Sequence, residues 1–164
     1  MISYRALAAT DAPRAATVIR DCFSDQGLAT SPPSSALKES DEAVAHKLSV
    51  GGGFGAFDGA TLVGAVLWSQ DGDALYLGRL AVVPARRGAG IAGKLVALVE
   101  AEALRRGFTK VRLRARLQLA KNVRFFERLG YRAVAEGAHV GFDQPTYAIF
   151  EKPLGGGDQH GNCE

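Results

Sequence analysis

Residues 84–95 read PARRGAGIAGKL and lie between an apolar run and an amphipathic one. The apolar run, Ala74–Val83, predicts a strand that a proline ends. The run from Gly90 to Arg106 has apolar residues at helical spacing and predicts a helix, with Gly107 as its C-cap. Strict alternation over Thr109–Leu117 then predicts a second strand. A strand–helix–strand unit of this kind makes the two strands parallel, with a right-handed crossover.

The loop inside this unit has the composition of an anion-binding site. Glycines allow backbone N–H groups to approach a ligand closely, and the N-terminus of a helix carries partial positive charge. Three glycines, Gly88, Gly90 and Gly93, lie here next to Arg86 and Arg87. The segment therefore predicts a cradle for a phosphate or diphosphate. The alternative is a tight turn that binds nothing.

Two nucleotide-binding patterns overlap in the loop. Gly88, Gly90 and Gly93 fit the dinucleotide pattern G-x-G-x-x-G, but four residues separate the strand from the first glycine and no acidic residue ends the next strand. Arginines on that next strand could imitate an NADP site. Residues 88–94 also fit G-x-x-x-x-G-K, but Leu95 stands where magnesium binding needs Ser or Thr. A nucleotide-binding protein therefore remains an alternative, although the spacing before Gly88, the missing acidic residue and Leu95 all argue against it.

Outward from the loop, periodicity predicts the remaining elements. In chain order they are a strand at Ile2–Ala6, a helix at 12–23 with Thr10 or Asp11 as cap, a long loop at Ser24–Ser40, a helix at Asp41–Val50, a hairpin of Phe54–Phe57 and Thr61–Ser69, a helix at Asn122–Leu129, and strands at Tyr131–Ala135 and Thr146–Lys152. No linker divides the chain, so one domain over residues 1–154 is expected. The glycine-rich tail 155–164 is expected to be disordered.

Composition excludes several classes of protein. The 164 residues are 47% hydrophobic and 23% charged, with a net charge of +3, as in a globular domain. The charge is too small to indicate nucleic acid, and the basic span lacks the interleaved aromatic residues of a nucleic-acid binder. No apolar run is long enough for a membrane helix, and no secretory signal is recognisable. Cys22 and Cys163 form neither a disulfide framework nor a metal site, so the expected location is the cytoplasm.

Two motifs resemble one known family. Arg87-x-x-Gly90-x-Ala92 resembles the R/Q-x-x-G-x-G/A acyl-CoA loop of the GNAT superfamily of N-acetyltransferases, and the preceding LAVVP resembles its fourth strand. Residues 122–131, NVRFFERLGY, resemble its second CoA motif, an asparagine-led helix that ends in Leu-Gly-aromatic. The resemblance covers roughly residues 2–152 and is strongest over 75–131.

The resemblance implies a fold and a co-substrate. The fold is a single α/β (α+β) domain whose mixed sheet of about seven strands splays between the fourth and fifth, with about four flanking helices. The co-substrate is acetyl-CoA: the strand backbone holds the pantetheine arm, the loop amides hold the pyrophosphate, and Asn122 binds the arm unless it only caps its helix. The implied cofactor-binding residues are Leu80, Ala81, Val82, Val83, Arg87, Gly88, Ala89, Gly90, Ile91, Ala92, Gly93, Asn122, Phe125 and Phe126.

The implied reaction is direct attack of a primary amine of a small molecule, amino acid or peptide on the acetyl thioester. An alkylamine is protonated at pH 7, and releasing its proton costs about 4–5 kcal/mol unless a base or desolvation helps. Phe126 stands where many members of the family have a tyrosine general acid. No carboxylate stands where many members have a glutamate base on the fourth strand, and Tyr76 is the residue nearest to that position. His139 borders the expected acceptor side, so Tyr76 and His139 are the catalytic candidates. A non-catalytic acyl-CoA-binding module is the alternative.

Three segments are expected to build the acceptor pocket: the Ser24–Ser40 loop, the short helix after it and the Ala138–Thr146 turn. Arg79 could bind an acidic acceptor or pair with an acidic neighbour. The arginines at 112, 114 and 116 form a stripe on one strand face, which could reach the CoA 3′-phosphate or simply be solvated. Homodimers are common in the family, but the sequence alone does not show one.

Overall fold

A computed structural model describes residues 1–24 and 32–155. The predicted tail and part of the predicted Ser24–Ser40 loop lie outside these residues. The strands are β1 (Ile2–Ala6), β2 (Gly52–Asp58), β3 (Thr61–Asp71), β4 (Ala74–Val82), β5 (Lys110–Arg116), β6 (Arg132–Gly137) and β7 (Tyr147–Pro153). The α-helices are α1 (Ala12–Ser24), α2 (Asp41–Val50), α3 (Ile91–Arg105) and α4 (Ala120–Arg128). Short 3-10 turns cover Ala9–Asp11, Ser35–Lys38 and Pro84–Arg86.

The seven strands form one sheet in the order β1-β2-β3-β4-β5-β7-β6. β4 and β5 are parallel, and every other neighbouring pair is antiparallel. α3 makes the crossover that a parallel pair requires. The predicted mixed sheet with helices on both sides is therefore confirmed.

β4 and β5 separate soon after they meet. Their register contains three residue pairs and ends at Tyr76↔Arg112, although β4 continues to Val82 and β5 to Arg116. Each strand stays paired on its other side, β4 with β3 and β5 with β7. The predicted splay is confirmed, and we call the space between the separated ends the β4–β5 gap.

A β-bulge lies on β4 where the gap opens. Arg79 and Leu80 together stand opposite Val66 of β3, since the register passes from Leu67↔Gly78 to Ala65↔Ala81. Arg79 has a φ of 55°, a left-handed conformation that is strained for a residue with a side chain. Bulges of this kind redirect side chains beside functional sites.

The helices cover the two faces of the sheet. α3 and α4 pack on one face, where Leu95, Val99 and Phe126 join a large core cluster. α1 and α2 pack on the other face with Ile19 and Val44. The close approach of α3 to the sheet needs a glycine on β3, because the Cβ of any other residue at position 64 would lie about 3.1 Å from a side-chain atom of α3.

Two local predictions differ from the structure. α4 begins at Ala120 and its N-cap is Leu119, so Asn122 lies inside the helix and does not cap it. Thr10 and Asp11 lie in a 3-10 turn before α1, and the Asp11 carboxylate accepts the Ala8 N–H at 2.7 Å. The Asp11 carboxylate therefore caps the 3-10 turn that precedes α1, whereas no side chain of the described residues caps α4.

Candidate active site

The glycine loop leads into backbone amides at the start of α3 that no helical hydrogen bond uses. Gly88 and Gly90 have φ values of 85° and 82°, which favour glycine. The Lys94 N–H donates to the Gly90 carbonyl at 3.1 Å, so the amides of residues 91–93 precede the first complete helical turn. A Cβ at Gly88, Gly90 or Gly93 would meet no atom within 4 Å. Open space therefore adjoins the three loop glycines, beside backbone N–H groups that no helical hydrogen bond uses, and this arrangement suits an anion.

The two arginines of the loop are both engaged by the protein. Arg86 forms an ion pair with Asp58 at the β2–β3 turn, so much of its charge is compensated. The Arg87 guanidinium donates to the Val82 carbonyl at 3.1 Å and lies 3.4 Å from the Sγ of buried Cys22. Arg87 therefore ties the loop to the end of β4, and the loop's backbone supplies most of the donors for an anion.

The predicted pantetheine-binding residues 80–83 lie on β4 beyond the bulge. Their β3 side is paired: Ala81 faces Ala65 in the register, and the Val83 N–H donates to the Val63 carbonyl at 2.9 Å. Their β5 side borders the gap, where no register pair joins the two strands. An extended molecule in the gap would thus meet an unpaired strand edge directly below the glycine loop.

The predicted residues of α4 differ in exposure. Asn122 is exposed and Phe125 is half-buried. Phe126 is 8% exposed, and its ring packs edge-on against Phe125 at 5.0 Å and Tyr131 at 5.8 Å. The Tyr131 hydroxyl donates to Glu100 at 2.9 Å. At the position of the usual acid, Phe126 thus contributes apolar contact and no proton.

A cavity of about 480 Å³ lies on the α1–α2 side of the sheet, at the β4–β5 gap. Residues from each of the three segments expected to build the acceptor pocket line it. They are Ser34 and Ser35 before α2, Lys47 and Val50 on α2, and His139 between β6 and β7. The lining residues from the strands include Leu67, Tyr76, Gly78, Arg79, Arg114 and Arg116.

Tyr76 and His139 reach this same cavity from distant parts of the chain. Tyr76 belongs to the last pair before the gap, and burial raises the pKa of its phenol, so the hydroxyl keeps its proton at neutral pH. The His139 Nδ1 lies 2.5 Å from the Thr146 Oγ1, and its ring packs edge-on against Tyr147 at 5.2 Å. Burial and the nearby guanidinium groups of Arg116 and Arg114 hold the pKa of His139 below its usual value.

A buried carboxylate organises the wall of the cavity. Glu39 is 3% exposed and accepts hydrogen bonds from Lys47 Nζ at 2.6 Å and Arg79 Nε at 3.1 Å. Arg79 also donates to Ser35 Oγ at 3.0 Å, and Arg20 donates to the Glu39 backbone carbonyl at 2.5 Å. Of the two interpretations of Arg79, the structure shows pairing with an acidic neighbour. This network joins α2 to the bulge. The role of Glu39 in it could not be recognised from the sequence, because Arg79 lies 40 residues away.

The arginine stripe lies on the sheet face opposite α3. It alternates with Val111, Leu113 and Ala115, which face the α3–α4 core. Arg112 pairs with the carboxylates of Glu151, Asp71 and Asp73, whereas Arg114 and Arg116 line the cavity. The stripe therefore does not share a face with the helix that begins at the glycine loop, and it is not simply solvated.

Residues 1–24 and 32–155 contain no group of three or more His, Cys, Asp or Glu side chains that could hold a metal ion. Within the same ranges, no helix combines the length and apolar character needed to cross a membrane.

Solved structures of acetyltransferases resemble this fold closely. The PaiA N-acetyltransferase of Thermoplasma acidophilum, in complex with coenzyme A, superimposes with a TM-score of 0.80 at 19% identity, covering 94% of this chain and 99% of that one. The ribosomal-protein-S18-alanine N-acetyltransferase of Escherichia coli gives a TM-score of 0.75 at 18% identity, covering 94% of both chains. A putative GNAT-family acetyltransferase of Desulfovibrio desulfuricans gives 0.78 at 19% identity, covering 94% of this chain and all of that one.

At these identities the structures establish the fold alone. No curated protein sequence matches the chain significantly. The sequence profile of the Acetyltransferase (GNAT) family matches residues 17–131, which include β4, the glycine loop, α3, β5 and α4. The chain therefore belongs to the GNAT family of acetyltransferases.

Proposed function

We propose that the protein is an N-acetyltransferase that transfers the acetyl group of acetyl-CoA to a primary amine by direct attack. The observation that carries this proposal is the adjacency of the open glycine loop and the unpaired edge of β4. The loop offers backbone donors to a pyrophosphate, and residues 80–83 offer a strand edge to the amide groups of a pantetheine arm. The coenzyme A bound by the Thermoplasma acidophilum enzyme supports this assignment.

The same residues argue against the nucleotide alternatives. An ATP site of the G-x-x-x-x-G-K type needs a magnesium ligand after the lysine, and Leu95 is buried in the core instead. A doubly wound dinucleotide fold needs an all-parallel core, whereas β4 and β5 are the one parallel pair here. Acetyl-CoA therefore fits the loop and the sheet together.

We assign the proton transfers to the two side chains in the cavity. In the neutral tautomer of His139 whose Nδ1–H donates to Thr146 Oγ1, Nε2 is free to accept a proton from the attacking amine. Tyr76, whose hydroxyl stays protonated, can donate a proton to the departing thiolate. Thiolates of ordinary pKa, about 8.5, leave readily, so a weak acid suffices here. Phe126 supplies no proton, which is why both roles fall to residues of the cavity.

Binding of acetyl-CoA is tested by thermal shift against Mg-ATP and NADPH. A ligand at about 100 times its dissociation constant adds about 2.7 kcal/mol, which is several degrees for a domain of this size. Stabilisation by acetyl-CoA alone is expected. Stabilisation by ATP or NADPH in its place would refute the proposed co-substrate.

Two glycines of α3 provide a matched pair of variants. Gly90 and Gly107 flank opposite ends of the helix with φ values of 82° and 87°, and neither has an atom within 4 Å of an added Cβ. Gly90→Ala and Gly107→Ala should cost similar stability, about 1 kcal/mol, because both place a side chain in the left-handed region. Only Gly90→Ala should weaken acetyl-CoA binding. An equal loss in both variants would contradict the proposed phosphate cradle.

Catalysis is tested by release of free CoA thiol from acetyl-CoA with a panel of amines. His139→Gln should lower kcat and remove the acid limb of the pH profile, whose midpoint is expected below about 6.5. Tyr76→Phe should lower kcat with little change in acetyl-CoA affinity. Stabilisation by acetyl-CoA without thiol release for any amine would instead favour the alternative that Phe126 suggests, a non-catalytic acyl-CoA-binding module.

A further inference from the structure

The cavity at the β4–β5 gap has an excess of positive charge. Its described lining includes four basic side chains, Lys47, Arg79, Arg114 and Arg116, and no carboxylate. Glu39 lies behind the wall, where its single carboxylate binds both Lys47 and Arg79. Two of the four cations therefore share one buried anion, and the other two have none from this network.

Arg114 and Arg116 have neutral partners in the described parts of the chain. Arg116 donates to the backbone carbonyls of Pro32 at 2.5 Å and Pro33 at 3.3 Å. The Arg114 guanidinium carbon lies 4.1 Å from the centre of the Tyr147 ring. These contacts hold the two guanidinium groups in position, and no carboxylate of the described residues pairs with either of them.

The contrast with Arg112 shows that this is a local property of the cavity. Arg112 lies on the same strand and face, and it pairs with Glu151 at 2.7 Å and Asp71 at 3.0 Å. Arg112, at the last β4–β5 pair, is thus paired with carboxylates. Beyond that pair, the described lining of the cavity contains no carboxylate. The positive field also acts on His139, whose pKa the same two arginines help to lower.

We propose that the acetyl acceptor is an amino carboxylate, a small amine whose carboxylate binds Arg114 and Arg116 while its amino group lies at the β4–β5 gap. This inference rests on the proposed acetyl transfer and specifies its acceptor. A ligand with an ammonium group alone would meet charges of its own sign, whereas a carboxylate supplies an anion that the described residues offer to neither arginine. Guanidinium groups bind carboxylates through paired N–H donors. Phe23 and Leu67 in the same lining give the hydrocarbon part an apolar contact.

The inference is tested by calorimetric binding, with and without CoA. The ligands are the standard amino acids, each paired with its amide and with the amine that lacks the carboxylate, for example leucine, leucinamide and 3-methylbutylamine. At least one amino acid should bind tenfold or more tightly than both of its partners. Amides that bind as tightly as their acids, or no binding by any amino acid, would overturn the inference.

Variants of the stripe identify the binding groups. Arg114→Gln should weaken binding of the preferred acid roughly 10- to 100-fold and leave its amide unaffected. Arg114→Lys, which keeps the charge, should recover part of the affinity. Arg112→Gln changes the net charge equally outside the cavity and should have no such effect; equal losses in both glutamine variants would refute a specific site.

Failure of this inference is distinguishable from failure of the proposed function. If acetyl-CoA stabilises the protein and thiol is released equally well with amines that lack a carboxylate, acetyl transfer is retained and the amino carboxylate is rejected as the acceptor. Preferential binding of an acid over its amide, without any thiol release, would retain the anion-binding cavity while rejecting catalysis.

Discussion

Replacing Glu39 by glutamine removes the charge at the centre of the contact between α2 and the β4 bulge. The carboxylate is 3% exposed, and its two partners are more accessible: Arg79 is 24% exposed and Lys47 is 40% exposed. Breaking a fully buried ion pair by removing one partner costs about 3–5 kcal/mol. Because water can solvate the freed lysine, we expect Glu39→Gln to lower the free energy of unfolding by about 2–3 kcal/mol.

Urea denaturation followed by circular dichroism measures this loss as a lower midpoint at an unchanged slope. For a chain of this length the same loss lowers Tm by roughly 4–12 °C. Glu136→Gln, on the exposed face of β6, changes the net charge equally and should alter stability by less than about 0.5 kcal/mol. If Glu39→Gln costs no more than this control, the carboxylate does not anchor α2 to the bulge. A double-mutant cycle with Arg79→Gln should give a coupling above about 0.5 kcal/mol.

Three further variants test other parts of the fold. The hydrogen bond from Arg5, more than any other interaction, holds the pKa of Asp11 below its usual range. The ionised carboxylate therefore stabilises the fold fully above about pH 4, and this stabilisation is lost as the pH falls through the lowered pKa. Asp11→Asn should therefore cost about 1–3 kcal/mol at pH 7 and less at pH 2, measured by urea denaturation; a cost independent of pH would contradict this origin. Tyr131→Phe removes a buried hydroxyl bonded to Glu100 and should cost about 1–2 kcal/mol, whereas an unchanged urea midpoint would mean that the bond adds nothing. Gly93→Ala adds a methyl group in open space near the start of α3 and should raise the Tm of the unliganded protein by up to about 4 °C; a lower Tm would show that the position needs glycine.

The order of the elements could be predicted because it depends on local patterns. Alternation over β5 and helical spacing over α3 each reflect burial of one face, and burial decides where these elements lie. The splay and the CoA motifs came from resemblance to a family. The start of α4 was predicted too late because Leu119 carries none of the usual N-cap side chains.

The three segments that line the cavity were named from the family resemblance, but the contacts inside it could not be predicted because they join residues far apart in sequence. Tyr76 and His139 were each candidates, but only the folded sheet brings them to one space. Glu39 and Arg79 are separated by 40 residues, and neither residue's neighbours indicate a partner. The stripe of arginines could be recognised in the sequence, but its role could not. That role depends on the face of the sheet that the stripe occupies and on which of its arginines pair with carboxylates.

The β4–β5 gap also divides the sheet mechanically. β1 to β4 form one antiparallel unit and β5, β7 and β6 form another. Within the sheet only three register pairs of the described strands join them, and α3 packs across the boundary on one face. A boundary with so few pairs is where sub-global opening takes the least free energy, so amides along the gap should exchange with deuterium before those inside either unit. A ligand that spans the gap would fasten the two units together. Occupancy would then slow amide exchange on both sides of the gap together, in addition to raising the midpoint of unfolding.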